Sequence, residues 1–400
     1  MPHTPAKVSA HPTHGPWLIA NLLAQVSFGL LAMTLCLPSM QEWGAIFDTQ
    51  QADVQLTFSG YVVAYGALQL VYGPLSDRHG RKPILMLGLV VAGLASVMAA
   101  LASDITTLTV ARVLQGAGSA ASMVVSRSMV QDLFTGPQRT RVMAYIGMAL
   151  GMCPPLATLI GGQIHVRLGW QANFVLLAVL ALALLLATWF GLPRVAKPPP
   201  GDSHWLRAML SAYARLLREP RFLLYVAILA ATTATFYVFL GGAPIVLKGY
   251  GIGPDGIGWF IMAVPLSYIL GNFMTSRLIQ RLGEARVMAW GQALTLIGLV
   301  VMLGLGLAGV QTALAVALPL LLLGLGHGLL NPPALAGTVS VLPALAGSAA
   351  AVAGLMQQLT GATGGYLVGL VPHEGAVNLG WMMLGFALIA AVAQFFLHKR

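Results

Sequence analysis

The feature that most constrains this chain is a succession of twelve apolar runs, each about 20 residues long. A helix rises about 1.5 Å per residue, so a run of this length crosses the roughly 30 Å hydrocarbon layer of a bilayer. No run shows the two-residue alternation of a barrel strand, and lipid does not tolerate unpaired backbone amides, which leaves helices. The predicted spans are 17–39, 53–75, 83–102, 106–130, 141–163, 171–192, 222–247, 255–279, 285–308, 312–335, 346–371 and 378–397.

The composition excludes most other classes of protein. Charged residues make up 8% of the 400 positions and apolar residues 58%, and a soluble domain with so few charges could not keep its surface solvated. The chain is therefore predicted to be an all-α integral membrane protein in contact with a lipid bilayer. It has no Walker sequence, no metal-ligand spacing and no nucleophile–base motif, so we expect no enzyme activity, no metal and no cofactor.

The net charge of +10 is explained by the distribution of charges across the membrane. If the N-terminus lies inside, the inner loops and inner helix ends hold every Lys and Arg except Arg112, Arg167 and Lys248. This positive-inside bias predicts a multi-pass protein with both termini in the cytoplasm, and it requires no nucleic-acid partner. Acidic residues lie towards the opposite side: Glu42, Asp48, Asp53, Asp104, Asp255 and Glu374.

The longest polar segment divides the spans into two sets of six. It opens with prolines and continues as HWLRAMLSAYARLLREPRF, in which apolar residues recur at helical spacing among arginines. This pattern predicts a helix lying on the inner membrane surface. The expected organisation is a disordered tail (1–16), a six-helix half (17–192), a cytoplasmic linker with an amphipathic helix (193–221) and a second six-helix half (222–400).

Five stretches carry a family resemblance. GPLSDRHGRKP (73–83) and ARVLQGAGSAA (111–121) are similar to the helix 2–3 loop signature and the helix 4 arginine motif of the major facilitator superfamily. With LCLPSM (35–40), GMCPPLATLIGG (151–162) and AGSAAAVAGLMQQLTGA (346–362), the chain resembles the bicyclomycin- and chloramphenicol-resistance type of drug:proton antiporter. The resemblance covers nearly the whole chain and implies the major facilitator fold, with twelve transmembrane helices in two halves.

Two positions depart from that subfamily's pattern. Thr34 stands where an aspartate usually precedes the Leu-Pro of helix 1, and Thr158 stands where the helix 5 motif usually has a proline. A threonine does not titrate in this range, so proton coupling would need another carrier.

The 73–83 loop is the candidate gate. Asp77 lies four residues before Arg81, so the two can pair locally, and a carboxylate near a helix N-terminus is favoured by about 0.3–1 kcal/mol. In the resembled family this loop docks against the inner ends of helices 4 and 11, and the resemblance implies a latch formed by Gly73, Asp77, Arg78, Gly80, Arg81, Lys82 and Asp132. A solvated turn that only fixes topology would explain the basic residues but not the Gly, Pro and Asp spacing.

Three residues are candidates for proton coupling. Arg112 lies about seven residues into the fourth span, roughly 10 Å along the axis, where lipid exposure is costly, so we expect it to face a central cavity. Asp53 lies near the outer end of the second span, where Arg112 could stabilise its charged form. His327, in GLGHGLL on the tenth span, belongs to a residue type that titrates near working pH. The alternatives are that Arg112 extends to the outer lipid headgroups and that His327 only forms a hydrogen bond with a carbonyl.

Aromatic and neutral amide side chains recur along several spans, which is typical of a substrate cavity. They suit a flat, partly apolar compound, neutral or weakly charged and held by few hydrogen bonds. The same residue types also bond neighbouring helices, and each candidate is open to that interpretation. The candidates are Gln25, Thr34, Tyr61, Tyr65, Gln69, Gln115, Phe236, Tyr237, Tyr268, Asn272, Gln357 and Gln358.

The fifth span carries an antiporter-like motif. Its prolines remove backbone hydrogen bonds and its glycines allow close approach, so the helix is expected to bend and pack closely. The motif residues are Gly151, Pro154, Pro155, Gly161 and Gly162.

The sequence therefore predicts a monomeric exporter in the inner membrane of a bacterium. It would move a small organic compound or drug by alternating access, in exchange for protons. An exporter of a metabolite or siderophore, and a non-transporting membrane sensor, are the alternatives. The intact loop signature and the lack of an appended soluble domain argue against the sensor.

Overall fold

The computed structural model describes residues 15–193, 205–372 and 375–399, which form fifteen α-helices and no strand. Most of the predicted tail, and residues 194–204 of the predicted linker, lie outside the described residues. The helices are α1 (Pro16–Thr34), α2 (Met40–Ile46), α3 (Gln51–His79), α4 (Arg81–Ala100), α5 (Ile105–Leu133), α6 (Gly136–Leu168), α7 (Gln171–Gly191), α8 (Trp205–Leu216), α9 (Pro220–Gly249), α10 (Pro254–Ile261), α11 (Ala263–Leu282), α12 (Glu284–Leu307), α13 (Ala313–Ser340), α14 (Ala346–Leu370) and α15 (Ala376–Lys399).

The predicted all-helical membrane fold is confirmed. Eleven segments are long and apolar enough to cross a membrane, with α10 and α11 counted together as one. The remaining predicted span, 346–371, is α14, which has 25 residues but carries the adjacent amides Gln357 and Gln358. It packs against α3 and α9, so these polar groups lie between the two halves of the bundle.

Two predicted spans are interrupted near a proline. The first ends as a helix at Thr34, and Pro38, which has no backbone N–H, lies in the turn before the short helix α2. The eighth is divided at Met262, because the ring of Pro265 conflicts with the carbonyl of Ile261 four residues earlier. The apolar pattern runs through both interruptions, so periodicity did not reveal them.

The helices pack as two halves. Helices α1 and α3 to α7 contact one another, as do α9 to α15. Between the halves, α3 packs on α14, and α6 packs on α10 and α11. Helix α8 occupies the segment where the sequence predicts a surface helix, and its Leu216 packs with Phe222 and Ala349 of the second half.

The two ends of the bundle differ in charge. The end that carries the start of α1 and the 73–83 loop is called the basic end. The opposite end, the acidic end, carries Asp53 and Asp104 at the starts of α3 and α5. The Asp104 carboxylate accepts hydrogen bonds from the hydroxyl (2.7 Å) and backbone N–H (2.8 Å) of Thr107, and these bonds lower its pKa. Asp104 is therefore explained as a helix cap.

Hydrogen bonds join the halves towards the acidic end, and we call this region the acidic-end seal. Glycines bring the backbones together there, with Gly162 lying against Pro254. The bonds run from Gln41 Nε2 to Pro244 O, from Lys248 Nζ to Gln41 O (2.8 Å), from Gln55 Nε2 to Gly241 O (3.0 Å), from Ser59 Oγ to Ala362 O (2.9 Å) and from Gln163 Nε2 to Asp255 O (3.4 Å).

The halves separate towards the basic end. On α14, a Cβ added to Gly365 would meet the ring of Phe58, whereas one added to Gly354 on the same stripe would meet no described atom within 4 Å. The same contrast holds on α6, where Gly162 is closely packed but a Cβ added to Gly147 would meet no described atom within 4 Å. The bundle is therefore closed at its acidic end and open at its basic end. We call the space between the halves the central cleft, whose partly exposed wall includes Gln69, Phe236, Tyr268, Asn272, Gln357 and Gln358.

Candidate functional site

The loop between α3 and α4 is organised around one arginine. The chain reverses at Gly80, whose φ of +96° favours glycine. Arg81 pairs with Asp77 and donates to Ser76 Oγ at 2.7 Å. Its Nε also donates to Asp132 Oδ2 at 2.9 Å, at the end of α5. The loop is thereby attached to the neighbouring helix of its own half.

The rest of the loop also contacts the first half. Lys82 Nζ donates to two carbonyls at the end of α7, at 2.8 and 2.9 Å. Arg78 is exposed, and a Cβ on Gly73 would make only ordinary van der Waals contact. The Asp77 side chain remains 54% exposed beside Arg81.

Arg112 lies fully buried inside the first half, away from the cleft wall where the sequence analysis expected it. Its Nη1 donates to Ala32 O at 2.7 Å and its Nη2 to Met33 O at 3.3 Å. These carbonyls belong to the last turn of α1, which lacks intrahelical donors. The guanidinium carbon also lies 4.4 Å from the centroid of the Tyr61 ring. Arg112 thus holds the end of α1 against α3 and α5.

Two predicted cavity residues belong to the same buried network. Gln115 Oε1 accepts from Arg112 at 2.6 Å, and its Nε2 donates to Ser96 Oγ at 2.7 Å. The Tyr61 hydroxyl donates to Gly29 O at 2.7 Å. Both side chains are fully buried, so the structure places them between helices of one half and not on the central cleft.

Gln25 and Thr34 are also fully buried within the first half. Gln25 Nε2 donates to Thr188 Oγ1 at 2.8 Å and joins α1 to α7. Thr34 Oγ1 donates to Leu30 O of its own helix at 2.8 Å. The position where the resembled subfamily has an aspartate therefore carries a side chain with a satisfied hydroxyl.

Amide and aromatic side chains meet at the centre of the cleft, where α9 and α14 approach α3. The Tyr237 hydroxyl donates to Gln358 Oε1 at 2.9 Å, and Thr233 Oγ1 donates to Gln357 Oε1 at 3.2 Å. The rings of Phe58 and Tyr237 are 5.7 Å apart and nearly perpendicular. Phe58 and Tyr237 are both buried, so this cluster joins α3, α9 and α14, and the partly exposed Phe236, Gln357 and Gln358 are the side chains beside it that a ligand in the cleft can contact.

The other predicted cavity residues have different surroundings. Tyr65 is fully buried within the first half and not on the cleft wall, with its ring against Gly29 and stacked on Tyr61 at a centroid distance of 5.9 Å. Its buried hydroxyl has no hydrogen-bond partner among the described residues. Asn272 Nδ2 donates to Tyr268 O at 3.0 Å on the opposite wall. Gln69 lies one helical turn beyond Tyr65, towards the basic end, and is partly exposed.

The structure separates the three coupling candidates. Asp53 is exposed at the acidic end, where its Oδ2 accepts from Thr49 Oγ1 at 2.8 Å. Arg112 bonds carbonyls, and no ion pair joins it to Asp53 in the described part of the chain. His327 is only 4% exposed on α13, and its ring has no hydrogen-bond partner within the described ranges.

The glycines of α6 lie at the closest contacts of the acidic end. A Cβ on Gly161 would fall on the backbone of Leu35, and one on Gly162 would fall on the backbone of Pro254. Pro154 and Pro155 lie within one continuous helix. A Cβ added to Gly151 would lie 3.3 Å from a side-chain atom of Ile269.

Arg127 is a cleft residue that the sequence analysis missed. It is exposed to solvent although protein surrounds it on most sides, which is the situation of a side chain lining an open cleft. The positive-inside pattern predicts Arg127 at an inner helix end. The available signal was its position inside the predicted span 106–130, fifteen residues after Arg112.

Comparison with known proteins gives one consistent result. A family model described as Major Facilitator Superfamily matches residues 17–365. The chain is 27% identical over 377 residues to multidrug resistance protein D of Escherichia coli K12, covering 93% of each chain. It is 28% identical over 380 residues to a chloramphenicol resistance protein of Pseudomonas aeruginosa, covering 94% of this chain and 88% of the relative.

Solved transporter structures share the fold. A crystal structure of a peptide transporter has a TM-score of 0.77 at 15% identity, with 95% of each chain covered. A D-xylose–proton symporter has a TM-score of 0.74 at 15% identity, covering 95% of this chain and 96% of the symporter. At this identity the likeness concerns the arrangement of helices alone.

Proposed function

Because the chain belongs to the major facilitator superfamily, we propose that it is a secondary active transporter that exports small organic compounds or drugs in exchange for protons. Two of its relatives are named as a multidrug resistance protein and a chloramphenicol resistance protein, and these names support the substrate class. Both six-helix halves lie in one chain, so we propose that a monomer is sufficient. With the basic end and both termini in the cytoplasm of a bacterium, export would proceed through the inner membrane.

The observation that carries the proposal is the asymmetry of the central cleft. Its acidic end is closed by the acidic-end seal, and its basic end is open. In the proposed orientation this is a state that receives a compound from the cytoplasm. Rocking of the two halves would then break the seal and release the compound outside.

Susceptibility of a deletion strain to a panel of compounds tests the substrate class. We expect increased sensitivity to several drug-sized aromatic antibiotics, reversed by the plasmid-borne gene. Unchanged sensitivity throughout the panel, combined with accumulation of a metabolite or siderophore in the cells, would favour the alternative exporter.

Proton coupling would require His327 or Asp53, because Thr34 does not titrate. His327 is the stronger candidate, since it is buried without a hydrogen-bond partner in the described structure, whereas Asp53 is exposed and bonded to Thr49. We expect the His327→Ala/Asp53→Asn double variant to lose pH-gradient-driven accumulation in proteoliposomes while still exchanging substrate down its gradient. The matched control is Glu284→Gln, which removes an exposed carboxylate at the basic end.

Wild-type pH dependence in the double variant would exclude both candidates. If substrate accumulation by the wild-type protein does not depend on the pH gradient, the antiport proposal is wrong.

Asp77→Asn is expected to slow transport at least about tenfold, with normal insertion and thermal stability. The side chain is half exposed, and exposed ion pairs contribute only about 0–1 kcal/mol to stability, so the effect would arise from closure of the basic end. Initial transport rates in vesicles and the unfolding midpoint are the measurements. Glu284→Gln, which neutralises an exposed carboxylate at the same end but outside the loop, is the control, and an Asp77→Asn rate equal to that of wild type would disprove the latch.

A further inference from the structure

Arg127 occupies a distinctive position on α5. It lies eleven residues after Gly116, which packs against the backbone of Tyr61 on α3, and this spacing places both on nearly the same face. The exposed apolar side chains of α5, Val113, Val110 and Leu114, lie about 40°, 100° and 140° around the helix from Arg127. Arg127 therefore lies at the edge of the packed face of α5, on the side of α3, at the level where the cleft is open.

Arg127 has no counter-charge in the described structure. It makes no hydrogen bond or ion pair with any described residue. The two carboxylates near the basic end of the same half, Asp77 and Asp132, are both bonded to Arg81. The Arg127 guanidinium is therefore available to a ligand, with five N–H donors in a planar fork.

Aromatic and amide side chains form other parts of the cleft wall. Phe236 is partly exposed there, with its ring centroid 6.2 Å from that of the buried Tyr237, and Gln357 and Gln358 are partly exposed on α14. Tyr65 is fully buried and does not reach the cleft surface. A guanidinium in a cleft that also exposes aromatic surface matches a ligand that carries an anionic acceptor group on an aromatic body.

We propose that Arg127 is the specificity-determining residue of the central cleft and binds an anionic acceptor group, such as a carboxylate, on an aromatic compound. This inference deepens the proposed export function and rests on it. It narrows the expected substrates from neutral or weakly charged compounds to those with one accessible anionic group.

The charge of Arg127 links ligand binding to closure of the basic end. When the basic end closes, water leaves the region around Arg127, and an unpaired charge is costly to bury. A bound carboxylate would accompany the guanidinium as its partner and reduce that cost. Closure at the basic end is therefore favoured when an anionic compound is bound, and a neutral compound of the same shape lacks this advantage.

The experiment compares three size-matched probes on the purified full-length protein: 1-naphthoate, naphthalene-1-carboxamide and naphthalen-1-ylmethylammonium. Affinity is measured by tryptophan fluorescence and transport by uptake into inside-out vesicles. We expect wild type to prefer the carboxylate to the amide by about 10- to 100-fold, the range of a charge-assisted hydrogen bond. Arg127→Gln should remove this preference while leaving the affinity for the amide unchanged, and Arg127→Lys should retain part of it.

Arg215→Gln on α8 is the control for loss of one exposed positive charge at the basic end. A wild type that binds the carboxylate no better than the amide, or an Arg127→Gln variant that keeps the preference, would overturn the proposal. Failure of the export function itself has a different signature. In that case the carboxylate preference and its loss in Arg127→Gln persist in the binding assay, but neither the probes nor the antibiotic panel is transported.

Discussion

Replacing Arg112 with alanine is expected to abolish transport and to lower the free energy of unfolding by about 3 kcal/mol. The change removes hydrogen bonds to Ala32 O, Met33 O and Gln115 Oε1, all buried. Each buried acceptor left without a donor costs about 1–3 kcal/mol, and relief from burying a charge offsets part of that sum. The stack on Tyr61 is also lost. Denaturation in detergent, followed by near-UV circular dichroism, measures the effect.

Two further variants separate a structural role of Arg112 from a direct role in coupling. Arg277→Ala removes an exposed arginine that stacks on Phe273 at 5.0 Å, and it should cost less than about 1 kcal/mol. Arg112→Lys keeps the charge but not the planar fork, so stability should be intermediate. An Arg112→Ala variant as stable as wild type, with altered pH dependence alone, would contradict the structural role and favour coupling.

Replacing Gly162 with leucine is expected to open the acidic-end seal and reduce transport by at least about tenfold. Any side chain at this position would collide with the backbone of Pro254, which cannot move aside as a flexible side chain would. Overpacking of this kind costs about 1–3 kcal/mol, enough to shift a two-state equilibrium about 5- to 150-fold away from the sealed conformation. The protein should still insert, because the strain exists in one conformation only.

Cysteine labelling measures this shift away from the sealed conformation directly. In a background in which both buried cysteines, Cys36 and Cys153, are changed to serine, Ser59→Cys places a thiol within the acidic-end seal. A membrane-impermeant maleimide added outside should react much faster in the Gly162→Leu protein. Gly385→Leu, at an exposed glycine with open space around it, is the matched control. Equal labelling of all three proteins would show that α6 and α10 do not form the seal.

Some features of the fold could be predicted because they depend on local sequence. The length of each apolar run sets the number of crossings, and the distribution of Lys and Arg sets the expected orientation. The turn at Gly80 was signalled by its loop signature, and its positive φ follows from the reversal between α3 and α4. The separate helix α2 and the division at Met262 were missed, because the apolar pattern does not change where a proline interrupts it.

The candidate site was less predictable, because a polar residue within a span has two possible surroundings. Gln25 and Gln115 bond neighbouring helices within the first half, whereas Gln358 lies at the centre of the cleft, although all three are amides on apolar helices. Which surroundings apply depends on the angular position of the residue and on the helices that pack beside it. Neither can be obtained from the length or polarity of a run.

The two arginines of α5 show which features follow from the sequence and which depend on the tertiary structure. By itself the sequence determined that α5 crosses the membrane, that it carries two arginines, and that lipid exposure of Arg112 would be costly. Only the packing decided that Arg112 meets the free carbonyls at the end of α1, while Arg127 meets an open cleft without a counter-charge. The physical reason is that a charge within a span needs a polar partner, and the helices brought together by the fold determine whether protein or ligand provides it.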